Sequence, residues 1–130
     1  MRILLDTNAY SALMRGVAEV ADRVRRAERV LLSPIVIGEL LYGFRNGSRN
    51  AENTRQLDAF LENPFVELMT VTRATADRFA GIALGLKRKG RPLPVNDVWI
   101  AAQALETGAD LLSSDGHFGE VEGLSWLRFG

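Results

Sequence analysis

The sequence of 130 residues contains no cysteine, a single histidine and no long hydrophobic run. The absence of cysteine excludes disulfide scaffolds, thiol catalysis and cysteine-ligated zinc sites. With His117 as the one histidine, a site with several histidine ligands within the chain is excluded as well. Any metal ion must therefore be held mainly by oxygen atoms, which favours Mg²⁺ or Mn²⁺ over zinc or copper.

Long uncharged stretches are also missing. The longest covers residues 30–38, which is about half of the roughly 20 residues that a membrane-spanning helix needs. At the N-terminus, Asp6 interrupts the apolar run too early for a signal peptide. We therefore expect a cytoplasmic protein that makes no use of a membrane.

Charge of either sign is not in excess, because 16 Lys and Arg balance 16 Asp and Glu. A net charge of zero argues against a nucleic-acid partner only if the charges are spread evenly. If several acidic side chains gather in one pocket, the rest of the surface carries an excess of positive charge. The positions of the acidic residues are therefore more informative than their sum.

The hydrophobic share of 47% is enough for a buried core, and the length predicts one domain over residues 1–130. Short apolar runs alternate with amphipathic stretches. The runs predict strands over residues 2–5, 30–32, 65–71, 109–113 and 125–129. The amphipathic stretches predict helices over residues 7–15, 17–27, 34–44, 49–61, 72–89 and 97–106. This alternation predicts an α/β protein, with a central, mostly parallel sheet of four to five strands between helical layers.

In such sheets the functional site lies beyond the carboxyl ends of the strands. Asp6 directly follows the first predicted strand, and Asp115 stands two residues after the fourth. Glu39 is the only charged residue between Pro34 and Phe44, so no face of that helix is polar and we expect the helix to be buried. A buried carboxylate costs several kcal/mol unless an arginine, a proton or a metal ion compensates it.

Asp97 opens a helix whose next turns are apolar, and Asn96 before it is the predicted N-cap. An acid in the first turn can simply complement the helix dipole, and Asp6 or Asp115 alone could cap a turn. All four acids, however, can reach the same edge of one sheet. Two carboxylates about 5 Å apart repel by roughly 3 kcal/mol at an effective dielectric near 20. A converged cluster would therefore take up protons or a divalent cation.

Four motifs in this order resemble those of the PIN-domain nucleases, and in particular the VapC-type toxins of toxin–antitoxin pairs. They are Leu4-Leu5-Asp6-Thr7-Asn8, Gly38-Glu39-Leu40, Asn96-Asp97-Val98-Trp99-Ile100-Ala101-Ala102 and Ser113-Ser114-Asp115-Gly116-His117-Phe118. The resemblance covers the whole chain and implies the three-layer PIN fold. It also implies a Mg²⁺-dependent endoribonuclease, with Mn²⁺ as a plausible substitute, that forms a homodimer and is inhibited by a cognate antitoxin.

The resemblance further implies the site residues. The catalytic and metal-binding quartet is Asp6, Glu39, Asp97 and Asp115, of which the first three are the expected ligand core. Asn8, Asn96 and Ser113 are expected to orient ligands and waters around it. Hydrolysis of RNA by a metal-activated water predicts 5′-phosphate and 3′-hydroxyl ends. A mechanism that used the ribose 2′-hydroxyl would instead leave a cyclic phosphate.

Positive charge beside the acids would hold the RNA. The densest basic cluster consists of Lys87, Arg88, Lys89 and Arg91, although these cations could also complement the end of a helix. For His117 a loop position is favoured over a role as an acid or a phosphate contact. Tyr10, Leu13 and Tyr42 fit the core and a partner groove equally well.

Two other classes of protein stay open. The first is a non-catalytic RNA-binding or assembly module whose acids are structural. The second is a phosphatase with an aspartyl nucleophile, which would also place Asp6 after the first strand. Its usual second aspartate, two residues later, is replaced here by Asn8.

Overall fold

Five strands form the centre of the computed structural model, which describes residues 1–130. They are β1 (Arg2–Leu5), β2 (Arg29–Leu32), β3 (Val66–Leu68), β4 (Asp110–Ser113) and β5 (Trp126–Arg128). Their order in the sheet is β3-β2-β1-β4-β5, and every neighbouring pair is parallel. The predicted α/β architecture with a parallel central sheet is confirmed.

Six α-helices connect and cover the strands. They are α1 (Thr7–Met14), α2 (Ala18–Arg26), α3 (Pro34–Arg45), α4 (Asn50–Glu62), α5 (Arg73–Arg88) and α6 (Val95–Thr107). A short 3₁₀ helix, Gly116–Glu120, lies between β4 and β5 in a segment predicted as a loop. None of the helices combines the length and the apolar character that a membrane crossing requires.

The register of the central strands fixes where the functional edge of the sheet lies. Leu5 at the end of β1 pairs with Leu32 of β2 on one side and with Leu112 of β4 on the other, and all three side chains are fully buried. The residues that follow these leucines therefore emerge side by side from the sheet. They include Asp6 and Ser113, so the register itself brings the two residues together.

The start of α3 agrees with its sequence signals. Ser33 caps the helix, with its Oγ accepting a hydrogen bond of 3.1 Å from the backbone N–H of Ile35, and Pro34 occupies the first turn. The prediction that α3 is buried is wrong in part. Val36 and Leu40 are buried, but Tyr42 is 73% exposed. Proline and glycine residues take up positions in α3 that polar side chains could otherwise occupy. The helix therefore contains few charges, although part of its surface is exposed to solvent.

The predicted N-cap of α6 is also wrong. The helix begins at Val95 after Pro94, whose carbonyl accepts hydrogen bonds from the backbone N–H groups of Asp97 and Val98. Asn96 is thus the second residue of the helix, and its side chain turns toward α3 instead of the helix end. A proline with fixed φ prepares the chain for helix entry without a side-chain cap.

The third strand is shorter than predicted, because β3 spans only three residues at an edge of the sheet. Phe65, Leu68 and Val71, which made the predicted run apolar, are exposed. An edge strand needs fewer buried side chains than a central one, so the apolar run extends past the paired residues.

Tyr10 on α1 gives a test of the core. Its ring is buried and packs edge-on against Phe60, with 5.4 Å between ring centroids, but its hydroxyl has no hydrogen-bond partner. A buried unpaired hydroxyl costs about 1–3 kcal/mol. We expect Tyr10→Phe to raise the free energy of unfolding by about 1 kcal/mol, as measured by urea denaturation. Tyr42→Phe, at an exposed ring, is the control and should change nothing; a destabilised Tyr10→Phe would show that the hydroxyl is satisfied.

Candidate active site

Asp6 lies at the carboxyl end of β1 and is only 4% exposed. Its Oδ1 accepts a hydrogen bond of 2.8 Å from the backbone N–H of Ala9 and so caps α1. Its Oδ2 accepts a hydrogen bond from Ser113 Oγ, and that hydroxyl in turn accepts one of 3.0 Å from the backbone N–H of Asp115. Ser113 therefore joins two of the predicted acids, one from each of two neighbouring strand ends.

The carboxylates are close enough to perturb one another. Burial raises the pKa of Asp6 to about 6, and the negative charges of Asp97 and Asp115 add to this effect against the hydrogen bonds from Ser113 and Ala9. Burial also raises the pKa of Asp97, as do Glu39 and Asp115, while His117 acts in the opposite direction. No lysine or arginine forms a salt bridge with any of these four acids. The cluster thus holds negative charge that no lysine or arginine compensates.

His117 lies between two of the acids. Its Nε2 is 2.9 Å from Asp97 Oδ2, and its Nδ1 is 3.0 Å from Asp115 Oδ1. Neither contact is an aligned hydrogen bond, and Nε2 is shielded from solvent without a hydrogen-bond partner. One atom from each of the three residues can be chosen so that all lie within 4.8 Å of one another. This spacing would let one ion touch all three side chains.

Glu39 approaches the cluster from α3. Its Oε1 accepts a hydrogen bond of 2.6 Å from Thr7 Oγ1, and its Oε2 accepts one of 3.4 Å from Asn96 Nδ2. The carboxylate is partly exposed and is held by neutral donors, not by the arginine that was one predicted partner. Glu39 and Asn96 also line an open groove of about 640 Å³, together with Pro34, Ile35, Gly38 and Tyr42.

The structure brings the predicted quartet of Asp6, Glu39, Asp97 and Asp115 to one edge of the sheet. Their tightest grouping differs from the predicted ligand core, because Asp97 and Asp115 lie with His117 and not with Asp6 and Glu39. The quartet's metal-binding role stays a prediction at this point.

The three residues predicted to orient ligands and waters around the quartet fall into two groups. Ser113 and Asn96 hydrogen-bond to members of the quartet. Asn8 is exposed, and its side chain makes no hydrogen bond with the four acids. Its contribution stays a prediction that no contact supports.

The predicted RNA-binding cluster lies at and beyond the end of α5, and all four of its side chains are exposed. Lys87 also lines an apolar groove beside Val95 and Val98 at the start of α6. Lys89 makes contacts within the protein: its Nζ donates to the Glu120 carbonyl and lies 3.6 Å from the Glu120 carboxylate. It ties α5 to the 3₁₀ helix, so its predicted role in RNA binding is the weakest of the four.

Two residues of the site were missed or undervalued. Thr7 follows Asp6 directly and reaches Glu39, 32 positions along the chain; a threonine in a first helical turn carries no signal of such a partner. His117 was expected to be a loop residue. Its spacing of two residues from Asp115 at the end of a strand is the signal that could have placed it in the site.

The donor set fits a hard divalent cation. Carboxylate oxygens predominate, the pKa of Asp6 and that of Asp97 are raised in the absence of an ion, and one buried ring nitrogen lacks a partner. A cation among these groups would relieve the repulsion and satisfy the free nitrogen. The ligand types suit Mg²⁺ or Mn²⁺.

Comparison with known proteins agrees with this geometry. Residues 3–124 match the PIN domain. The chain is 28% identical to Ribonuclease VapC1 of Haemophilus influenzae, with 97% of this chain and 96% of that protein covered. The solved VapBC-1 structure from nontypeable Haemophilus influenzae superposes with a TM-score of 0.87 at 28% identity, over 98% of both chains. VapBC2 from Rickettsia felis, solved with a DNA fragment from its promoter, gives a TM-score of 0.88 at 22% identity over 100% of both chains, a likeness of fold.

Proposed function

Because this chain belongs to the PIN domain family, we propose that it is a metal-dependent endoribonuclease that acts as the toxin of a toxin–antitoxin pair. The observation that carries the proposal is the meeting of Asp6, Glu39, Asp97 and Asp115 at the carboxyl ends of parallel strands. The similarity to a protein named ribonuclease over 97% of the chain supports the same activity. We take the whole of residues 1–130 as one PIN domain.

Mg²⁺ is the proposed cofactor, with Mn²⁺ as a substitute. When bound, such an ion lowers the pKa of a water molecule and stabilises the charge that develops on the phosphate. Asp97 and Asp115 are the residues best placed to hold it. The buried carboxylate of Asp6 lies close enough to add its negative charge to the site. Ser113 keeps Asp6 and the Asp115 backbone in a fixed relation, which limits the movement that ligand binding would otherwise require.

Glu39 is suited to a different part of the reaction. It opens onto the groove that Tyr42 and Gly38 line, whereas Asp6 is buried. Thr7 and Asn96 hold its two oxygens in place. We propose that the RNA strand lies along this groove and that Glu39 receives the proton of the attacking water.

Exposed cations at the end of α5 are proposed to bind the RNA backbone. We expect the triple variant Lys87→Gln, Arg88→Gln, Arg91→Gln to raise KM and leave kcat nearly unchanged. Each lost phosphate contact should also reduce the slope of log affinity against log salt by about 0.7 for single-stranded RNA. The measurement is initial rates and binding over a series of salt concentrations.

The matched control replaces Arg55, Arg78 and Arg15, which are exposed arginines on α4, on α5 and at the end of α1 that form no salt bridge. This second triple variant removes the same amount of charge from elsewhere. If both variants change the salt slope equally, the α5 cluster is not a specific RNA contact. Lys89→Gln should act through the 3₁₀ helix instead and lower kcat.

The proposed partners are a cognate antitoxin and a second copy of the chain. The similarity to the solved VapBC-1 structure, at 28% identity, supports the antitoxin partner. Exposed apolar side chains, among them Tyr42, Leu84 and Val95, are available to such partners. Light scattering during size-exclusion chromatography should report a dimer for the isolated chain.

Digestion of total RNA by the chain purified without an antitoxin tests the proposed activity. Cleavage is expected with Mg²⁺ or Mn²⁺ and not with EDTA, and the products should carry 5′-phosphate and 3′-hydroxyl ends. Asp97→Asn, purified in the same way, should be inactive. RNA that is bound but left intact would favour the non-catalytic RNA-binding module, and release of phosphate from a phosphomonoester would favour the phosphatase.

A further inference from the structure

We propose that His117 is a direct nitrogen ligand of the metal ion and that it shifts the site's preference from Mg²⁺ toward Mn²⁺. This inference rests on the proposed function, and it adds a ligand that the acidic quartet does not include. It is carried by the position of one imidazole ring between Asp97 and Asp115.

The distances around the ring are those of neighbouring ligands. Two ligands at right angles around an ion, each about 2.1 Å from it, lie about 3 Å apart. His117 Nε2 is 2.9 Å from Asp97 Oδ2, and Nδ1 is 3.0 Å from Asp115 Oδ1. Either nitrogen could therefore share an ion with the carboxylate beside it.

The hydrogen bonding of the ring distinguishes a ligand from a counter-ion. A charged imidazole paired with two carboxylates gains most from short, aligned hydrogen bonds. The 2.9 Å contact of His117 Nε2 with Asp97 Oδ2 is not an aligned hydrogen bond, and Nε2 is buried without another partner. Neighbouring ligands of one ion lie off the line from each donor atom to the ion, so they do not form aligned bonds with each other. A buried polar atom without a partner also points to an absent ion or water.

The ring is held in place by its surroundings. It packs edge-on against Phe118, with 4.9 Å between ring centroids, and Phe118 is fully buried. The backbone N–H of His117 donates to Asp115 Oδ1 at 3.4 Å, which fixes the turn that carries both side chains. A ligand that needs no rearrangement binds its ion with little loss of conformational entropy.

A nitrogen ligand changes which metal the site prefers. Mg²⁺ is bound through oxygen, whereas imidazole suits the transition metals, and affinity for a mixed site rises along that series. We therefore expect the ratio of Mn²⁺ to Mg²⁺ affinity to depend on His117. Asp97 and Asp115, as oxygen donors, should affect both metals.

Calorimetric titration of the full chain with Mn²⁺ and with Mg²⁺ tests the inference without reference to activity. We expect His117→Asn to weaken Mn²⁺ binding at least tenfold and Mg²⁺ binding much less. Asp97→Asn is the matched control and should weaken both. Because His117 is the only histidine, the wild-type protein with ¹¹³Cd²⁺ should also show a one-bond ¹¹³Cd–¹⁵N coupling on a single imidazole nitrogen.

The possible results separate the two proposals. If His117→Asn binds both metals as tightly as wild type or more tightly, and no coupling is seen, His117 is a counter-ion and the inference is overturned while the proposed function stands. If the wild-type chain binds neither metal, both fail. Circular dichroism and thermal unfolding of His117→Asn establish that the variant is folded, and the cadmium experiment needs no variant at all.

Discussion

Asp6→Asn is expected to abolish RNA cleavage and at the same time to stabilise the metal-free protein at pH 7.5. Burial raises the pKa of Asp6 from 3.8 to about 6, so its charge destabilises the folded state at neutral pH. A shift of this size corresponds to at most about 3 kcal/mol, and we expect a gain of about 1–3 kcal/mol in the free energy of unfolding. Asparagine keeps the acceptor for Ala9 N–H and remains a good N-cap.

The pH dependence of this difference in stability shows whether the charge of Asp6 causes it. The destabilisation by Asp6 develops as pH rises from about 4 to about 6, so wild type and Asp6→Asn should be equally stable near pH 4 and differ fully above pH 7. Urea denaturation in EDTA at several pH values measures this difference. Asp58→Asn, which removes an exposed carboxylate on α4, should show no such divergence. A loss of stability in Asp6→Asn at neutral pH would mean that the carboxylate is structural.

The catalytic loss in Asp6→Asn should be large. Changing residues that merely support a metal ligand costs about 10- to 100-fold in affinity or activity, and we expect a loss of more than about 100-fold here. Gain of stability together with loss of activity is the pattern of a residue kept for function. Reduced activity together with reduced stability would instead assign the Asp6 carboxylate a structural role.

Divalent metal is expected to reverse the pH dependence of stability. Without metal, the raised pKa values of Asp6 and Asp97 make the folded state lose stability as pH rises through their titration. With Mn²⁺ at about 100 times its dissociation constant, binding adds about 2.7 kcal/mol, which is roughly 10 °C in Tm for a domain of this size. This gain should appear at pH 8 and shrink below pH 6, where protons compete for the carboxylates.

Thermal unfolding at pH 5 and pH 8, with Mn²⁺ and with EDTA, measures the effect. Asp97→Asn should lose most of the metal-dependent shift, and Asp58→Asn should keep it. An equal shift at both pH values, or an unchanged shift in Asp97→Asn, would place the bound ion elsewhere on the protein.

Much of the fold follows from local signals in the sequence. The central strands are short apolar runs, and Ser33-Pro34 begins α3 as the sequence predicts. The errors in the prediction occur where one sequence pattern is compatible with two different structures. Asn96 has the side chain of an N-cap, but the fixed φ of Pro94 starts the helix two residues earlier than predicted. Tyr42 is apolar enough for a core and is exposed instead, because packing against other elements decides which face of a helix is covered.

The acids of the site could be predicted from the sequence, whereas the side chains that contact those acids could not. Asp6, Glu39, Asp97 and Asp115 could be found because carboxylates in apolar surroundings or at strand ends are costly. The contacts of Thr7 with Glu39 and of His117 with Asp97 join residues 32 and 20 positions apart. Such contacts depend on how α3, α6 and the 3₁₀ helix approach one another, which short-range patterns do not encode.

Anomalous diffraction from crystals of the wild-type chain soaked in Mn²⁺ tests the central claim most directly. We expect a strong peak bounded by the carboxylates of Asp97 and Asp115, at the edge of the sheet where Asp6 emerges, and no peak in Asp97→Asn crystals soaked in the same way. A peak remote from these side chains, or no peak in a preparation that cleaves RNA, would contradict it.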